Sequence, residues 1–130
     1  MTTFVAWVGV DSRGPSSIHI AADSRISWGK TGADYWDMAC KTFSSNVSPD
    51  IFGYVNDVMF PSMVLGQIVN AINVGLLFRK ELEFAERAKI IENHIKNSHN
   101  IYPEQFRESF CIFHGGRDGE LMNSRFYLNA

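Results

Sequence analysis

The chain has 130 residues, 45% hydrophobic and 20% charged, with a formal net charge of -2. That length suits one core of ordinary size, a single domain over residues 1–130. The balance excludes a disordered charged tail and any general electrostatic pull toward nucleic acid or anionic lipid.

Cys40 and Cys111 are the only cysteines and stand outside any metal-ligand spacing. No zinc site, disulfide framework, metal or cofactor is therefore expected. No basic segment followed by an apolar run and a cleavage site opens the sequence. The longest apolar stretch, near Val58 to Phe78, is broken by Pro61, Gln67, Asn70, Asn73 and Gly75. Neither a signal peptide nor a membrane span is expected, and the expected location is cytoplasmic.

In chain order, Thr3 to Val10 is rich in β-branched and aromatic residues, and Asp11 to Ser16 is a cluster of turn formers. Ser17 to Ala22 alternates in polarity up to Asp23-Ser24-Arg25. Together these predict a β-hairpin. Ile26 to Ala39 has glycines at 29 and 32 and no sustained period. It reads as a loop with at most a short extended piece, packed down by Trp28, Tyr35 and Trp36. A second hairpin is predicted from Cys40–Ser45 and Ile51–Asn56 around the turn Val47–Asp50.

At Asp57 the period changes. Asp57 or Phe60 leads into a helix with Pro61 in its first turn, where the missing N–H costs nothing. Met63, Val64, Gln67, Ile68, Ala71, Ile72 and Gly75 follow at helical spacing. A second helix is predicted from Phe84 to Ser98, with Ala88, Ile91 and Ile95 as its apolar stripe and His99 to Pro103 ending it. Phe110–His114 and Leu121–Leu128 form a last strand pair around a turn at Gly115–Gly119. Hairpins without crossovers predict an α+β fold of antiparallel sheets with helices stacked on one side. The last strand runs up to Ala130, so the expectation is a fold whose C-terminal part is missing or is completed by another copy. His19, His94, His99 and His114 show no metal spacing and read as structural or exposed, and Cys111 reads as a small buried hydrophobe.

Four features recur in a fixed order. Met1-Thr2-Thr3 precedes an apolar strand, Ile20-Ala21-Ala22-Asp23-Ser24-Arg25 ends the first hairpin, Lys41 opens the third strand, and Ile51-Phe52-Gly53-Tyr54-Val55 leads into a helix. This ordered set resembles the proteasome-type N-terminal nucleophile hydrolases, the family of proteasome β-subunits and the HslV-type peptidase. The resemblance implies an αββα-type fold and a threonine peptidase whose nucleophile is Thr2 once Met1 is removed. It places the family's aspartate and lysine on Asp23 and Lys41. It gives the oxyanion N–H to Asn56, substrate pairing to the backbone at Ser27, and a specificity pocket to Ile26, Tyr54 and Val58. It further implies a peptide or unfolded protein substrate, a homo-oligomeric ring and an ATPase unfoldase partner, without metal or cofactor.

The residue types suit that chemistry. A threonine hydroxyl is a weak nucleophile that needs an adjacent base, and an N-terminal amine supplies one. A nearby ammonium favours the alkoxide, or a deprotonated lysine relays the hydroxyl proton, and a carboxylate beside that lysine fixes its position and charge state. Each well-aimed oxyanion donor is worth about 2.7–4 kcal/mol. The sequence departs from the family in having Asn56-Asp57 where a glycine pair is usual and a longer turn from Asp11 to Ser17. The family's later serine and aspartate, which support the amine, have no counterpart within the 130 residues. Bland readings stand beside these. Asp23 and Lys41 also suit a structural salt bridge, Ile26, Tyr54 and Val58 also suit an ordinary core, and the whole chain also suits a non-catalytic structural subunit of a ring.

Overall fold

The computed structural model describes residues 2–78 and 81–130. Met1, whose removal the resemblance requires, lies outside them. The fold is α+β, with three antiparallel sheets and two helices among the described residues.

β1 (Phe4–Asp11) and β2 (Gly14–Ala22) form the first hairpin, as its composition predicts. Its turn is tight because the Asp11 carboxylate accepts the Arg13 N–H at 2.8 Å, while Gly14 takes a φ of 117° that side-chain-bearing residues avoid. The stretch expected to be a loop contains a second, very short hairpin, β3 (Ile26–Trp28) with β4 (Asp34–Trp36). It is not packed down as expected: Trp28, Tyr35 and Trp36 are all about half exposed.

β5 (Thr42–Ser44), β6 (Asp50–Asn56), β7 (Phe110–Asp118) and β8 (Arg125–Asn129) form one sheet in that order. Its two faces carry different loads. On one face, Phe52 and Tyr54 meet Phe60, Val64, Leu65, Ile68 and Ile72 of α1 (Met59–Asn73) and Ile91 of α2 (Phe84–Ile101), forming the core. Each such side chain contributes about 1.5–3 kcal/mol by leaving water. On the other face the first hairpin lies against the sheet, with Phe4 stacked on Phe113 at 4.2 Å between ring centres. Covering on both faces explains the unbroken apolar run at Ile51–Val55, since a one-sided sheet would alternate.

Three glycines make these layers close. A Cβ on Gly53 would strike the Phe4 ring, and one on Gly116 would strike Phe84. At Gly115 it would come within 3.0 Å of Ile51 and 3.3 Å of Ile18. Gly115 and Gly116 are therefore packing glycines inside β7, which corrects the expected turn at Gly115–Gly119. The chain reverses later, through Gly119 at φ 73° and a short helical turn at Leu121–Asn123, so β8 begins only at Arg125.

The helices start where the sequence signals them. The Asp57 carboxylate accepts the N–H groups of Met59 and Phe60 at 3.2 and 3.3 Å, and Pro61 sits in the first turn. Gly75 does not extend the apolar face. At φ 74° it closes α1, its N–H bonding to Ile72 O at 3.0 Å while the Leu76 N–H bonds to Ala71 O at 2.8 Å. α2 opens on a capping box between Glu83 and Glu86 and runs three residues beyond Ser98, stopping before Pro103.

One end of the sheet is pinned by a buried polar cluster. Arg87 from α2 meets Asp50 at 3.0 Å, and His114 meets the same carboxylate at 2.7 Å. Burial alone would raise the Asp50 carboxyl, but bonds from His114 and Ser48 and the Arg87 charge hold it below the usual range. No helix among the described residues is long and apolar enough to cross a membrane.

Candidate active site

The site forms where the first hairpin begins and ends. Asp23 directly follows β2, and two bonds tie it to Thr3. Its N–H donates to Thr3 O at 3.0 Å, and its Oδ2 accepts the Thr3 N–H at 2.5 Å. The pairing of β1 with β2 thus delivers the start of the chain to this carboxylate.

Lys41 arrives from the other sheet, at the entrance to β5. Its side chain is 1% exposed, and its Nζ donates to Asp23 Oδ1 at 2.5 Å and to Arg25 O at 2.6 Å. An ammonium in so dry a place needs such partners, because an unpaired buried charge costs several kcal/mol. The Lys41 ammonium, helped by the Thr3 N–H, holds the Asp23 carboxyl below the usual carboxylate range. Asp23 and Lys41 are thereby kept as an ion pair one residue from Thr2.

Thr2, Arg25, Ile26, Ser27, Asn56 and Val58 line one open pocket of about 110 Å³. Five of the eight residues singled out from the sequence thus share a small space, with Asp23 and Lys41 tied to its wall through Arg25. Tyr54 does not join them. It is 1% exposed and lies in the core on the helix side of the sheet, and burial pushes its phenol up. Alternation along β6 sends it there, since Phe52 and Tyr54 share one face and Gly53 the other.

Asn56 ends β6 with φ 74°. That left-handed conformation is rare away from glycine, and asparagine is among the few residues that adopt it at modest cost. Asn56 thus carries a glycine-like backbone at the edge of the pocket. Ser27 is exposed in β3, on a sheet of only two strands, so one edge of β3 has no strand partner among the described residues.

Arg25, which the sequence pattern does not single out, also belongs to the site. The signal was its place two residues after Asp23: its N–H donates to Asp23 Oδ1 at 3.2 Å. Larger clefts exist, including one of about 660 Å³ beside Ile91, Ile95, Phe110 and Ile112. That one is lined by His99, His114 and Cys111 and carries no Ser, Thr or Tyr hydroxyl. Among the described residues no group of three or more His, Cys, Asp or Glu is placed to hold a metal ion.

Comparison with protein-family models, with curated proteins and with solved structures finds no match to this chain.

Proposed function

We propose that the protein is an N-terminal threonine peptidase of the N-terminal nucleophile hydrolase type, with Thr2 as nucleophile. The observation that carries this reading is the ion pair of a buried Lys41 with a partly exposed Asp23, bonded to the backbone of Thr3 and wired through Arg25 to the pocket that Thr2 lines. The stacking of two antiparallel sheets with a helix layer outside one of them suits that fold family.

In this mechanism Met1 is removed first, leaving Thr2 with a free α-amine. The amine takes the proton of the Thr2 hydroxyl, and Oγ attacks the carbonyl carbon of a peptide bond. The Lys41 ammonium favours the developing alkoxide, while Asp23 keeps that ammonium in place. The Asn56 N–H meets the oxyanion. The intermediate collapses as the protonated amine passes its proton to the leaving nitrogen, and an ester to Thr2 remains. Water, deprotonated by the same amine, hydrolyses the ester and restores the hydroxyl.

The substrate in this reading is an extended peptide, paired with the free edge of β3 at Ser27, with a side chain against Ile26 and Val58. A peptide or unfolded protein, a homo-oligomeric ring and an ATPase unfoldase belong to the same proposal. The test is the intact mass of the purified protein with hydrolysis of a short peptide amide by wild type and Thr2→Ala. Loss of Met1 and loss of hydrolysis in the variant are expected, and equal rates in the two proteins would sink the reading.

A second reading, a non-catalytic structural subunit of a ring, is favoured by one observation. The Asn56 side chain stands in the family's glycine position, in a pocket already small. It predicts a retained Met1 and no labelling by an epoxyketone-type electrophile.

A further inference from the structure

Arg25 joins two parts that the proposed reaction must keep together. Its main chain belongs to the ion pair: the N–H donates to Asp23 Oδ1 at 3.2 Å and the carbonyl accepts from Lys41 Nζ at 2.6 Å. Its side chain belongs to the β3–β4 hairpin. Nε and Nη2 donate to the two oxygens of Asp37 at 2.6 and 2.9 Å, and the guanidinium lies 4.3 Å from the centre of the Tyr35 ring. Ile26 and Ser27, a wall of the Thr2 pocket, follow directly.

The hairpin has little else to hold it. It is a two-stranded sheet with three residues in each strand, and such ribbons are marginal on their own. Its turn runs through Gly29 and Gly32, both at positive φ, and its aromatic residues lie half exposed rather than in a core. One backbone bond, from the Ala39 N–H to Ser24 O at 2.9 Å, closes its base. An exposed ion pair adds little to stability. A bidentate guanidinium–carboxylate fork, however, fixes direction as well as distance, and stacking on an aromatic face restricts it further. The consequence is orientation more than stability.

We infer that Arg25 is a positioning residue: its fork to Asp37 and its stacking on Tyr35 hold the β3–β4 hairpin as a fixed edge of the Thr2 pocket, against which an extended peptide is laid. The inference rests on the peptidase reading. Asp37 acts through Arg25 in the same way, and neither side chain takes part in bond making.

Two readouts on wild type, Asp37→Ala and Asp37→Glu test it. One is kcat and KM for hydrolysis of a short peptide amide. The other is the rate of tryptic cleavage after Lys30, in the hairpin turn, followed by mass spectrometry. Asp37→Ala should raise KM about tenfold with kcat within about twofold, and speed cleavage after Lys30 at least about fivefold. Asp37→Glu, which keeps a carboxylate for the fork, should stay near wild type in both. An unchanged KM overturns the inference, as does an unchanged cleavage rate or a kcat that falls with KM constant. An inactive wild type overturns the peptidase reading and the substrate half of this inference. The Lys30 cleavage rates then still decide whether the fork holds the hairpin.

Discussion

Lys41 and Asp23 form their ion pair across a boundary between sheets, with Nζ 2.5 Å from Oδ1, and the two ends are unequally buried. The Lys41 side chain is 1% exposed and that of Asp23 is 30% exposed. Removing one partner therefore does not cost the same as removing the other.

Asp23→Ala should be the more damaging substitution. It leaves a buried ammonium with only Arg25 O to meet it, at a cost of about 3 kcal/mol. Lys41→Met leaves a carboxylate that still reaches water and the Thr3 N–H, at about 1 kcal/mol. Urea denaturation of both variants checks the order, and equal midpoints would refute it. Both should abolish peptide hydrolysis, so stability and activity rank the pair differently.

Stability should fall in acid through two carboxyls. The pKa values of Asp23 and Asp50 are both lowered in the folded protein. The unfolded state then binds more protons between the folded and unfolded values, so stability rises with pH across that window. The contribution is complete above the unfolded carboxylate value of about 3.9 and is lost as pH falls through the folded values. Urea midpoints from pH 6 down to pH 2.5 measure this. Asp23→Asn should flatten the lower end of that curve, and an unaltered slope would show that Asp23 carries none of it.

Arg87 should tolerate no replacement. Its Nε bonds to Asp50, Nη1 to Leu82 O at 2.5 Å and Nη2 to Arg117 O at 3.0 Å, so the fork joins α2 to the sheet end. Arg87→Met leaves the buried Asp50 carboxylate with only His114 and Ser48 to meet it, and should cost about 3 kcal/mol. Arg87→Lys should recover little, because one ammonium cannot reach three directions. Thermal unfolding of the two variants, compared with wild type, decides this.

Asn56 separates the two functional readings. Asn56→Gly relieves the left-handed strain and clears the pocket, so it should stabilise slightly, by less than about 1 kcal/mol. If the Asn56 N–H meets the oxyanion, it should also keep or raise kcat/KM. Asn56→Ala should destabilise by about 1 kcal/mol, because alanine tolerates that φ less well. Chemical denaturation together with peptide hydrolysis measures both effects.

Much of the local structure follows from neighbouring residues alone. The first hairpin, the start of α1 at Asp57 and the apolar stripe of α2 depend on turn chemistry, capping and side-chain period, which act over a few positions. The residue types at Thr2, Asp23 and Lys41 were equally plain, as was their order along the chain. What the sequence could not hold was which layer each residue meets. Gly115 and Gly116 suit a turn as well as a strand, and only Phe84 above and Ile18 below make them strand residues. Tyr54 suits a pocket as well as a core, and only the side on which α1 packs sends it away from Thr2. Arg87, Asp50 and His114 are far apart in sequence and look like three solvated residues until packing closes over them. Arg25 looks like part of a short motif until the fold sets its carbonyl against Lys41 and its guanidinium against Asp37. Composition and period determine the elements because backbone preferences are local; burial, partners and the site itself arise only when distant segments exclude water together.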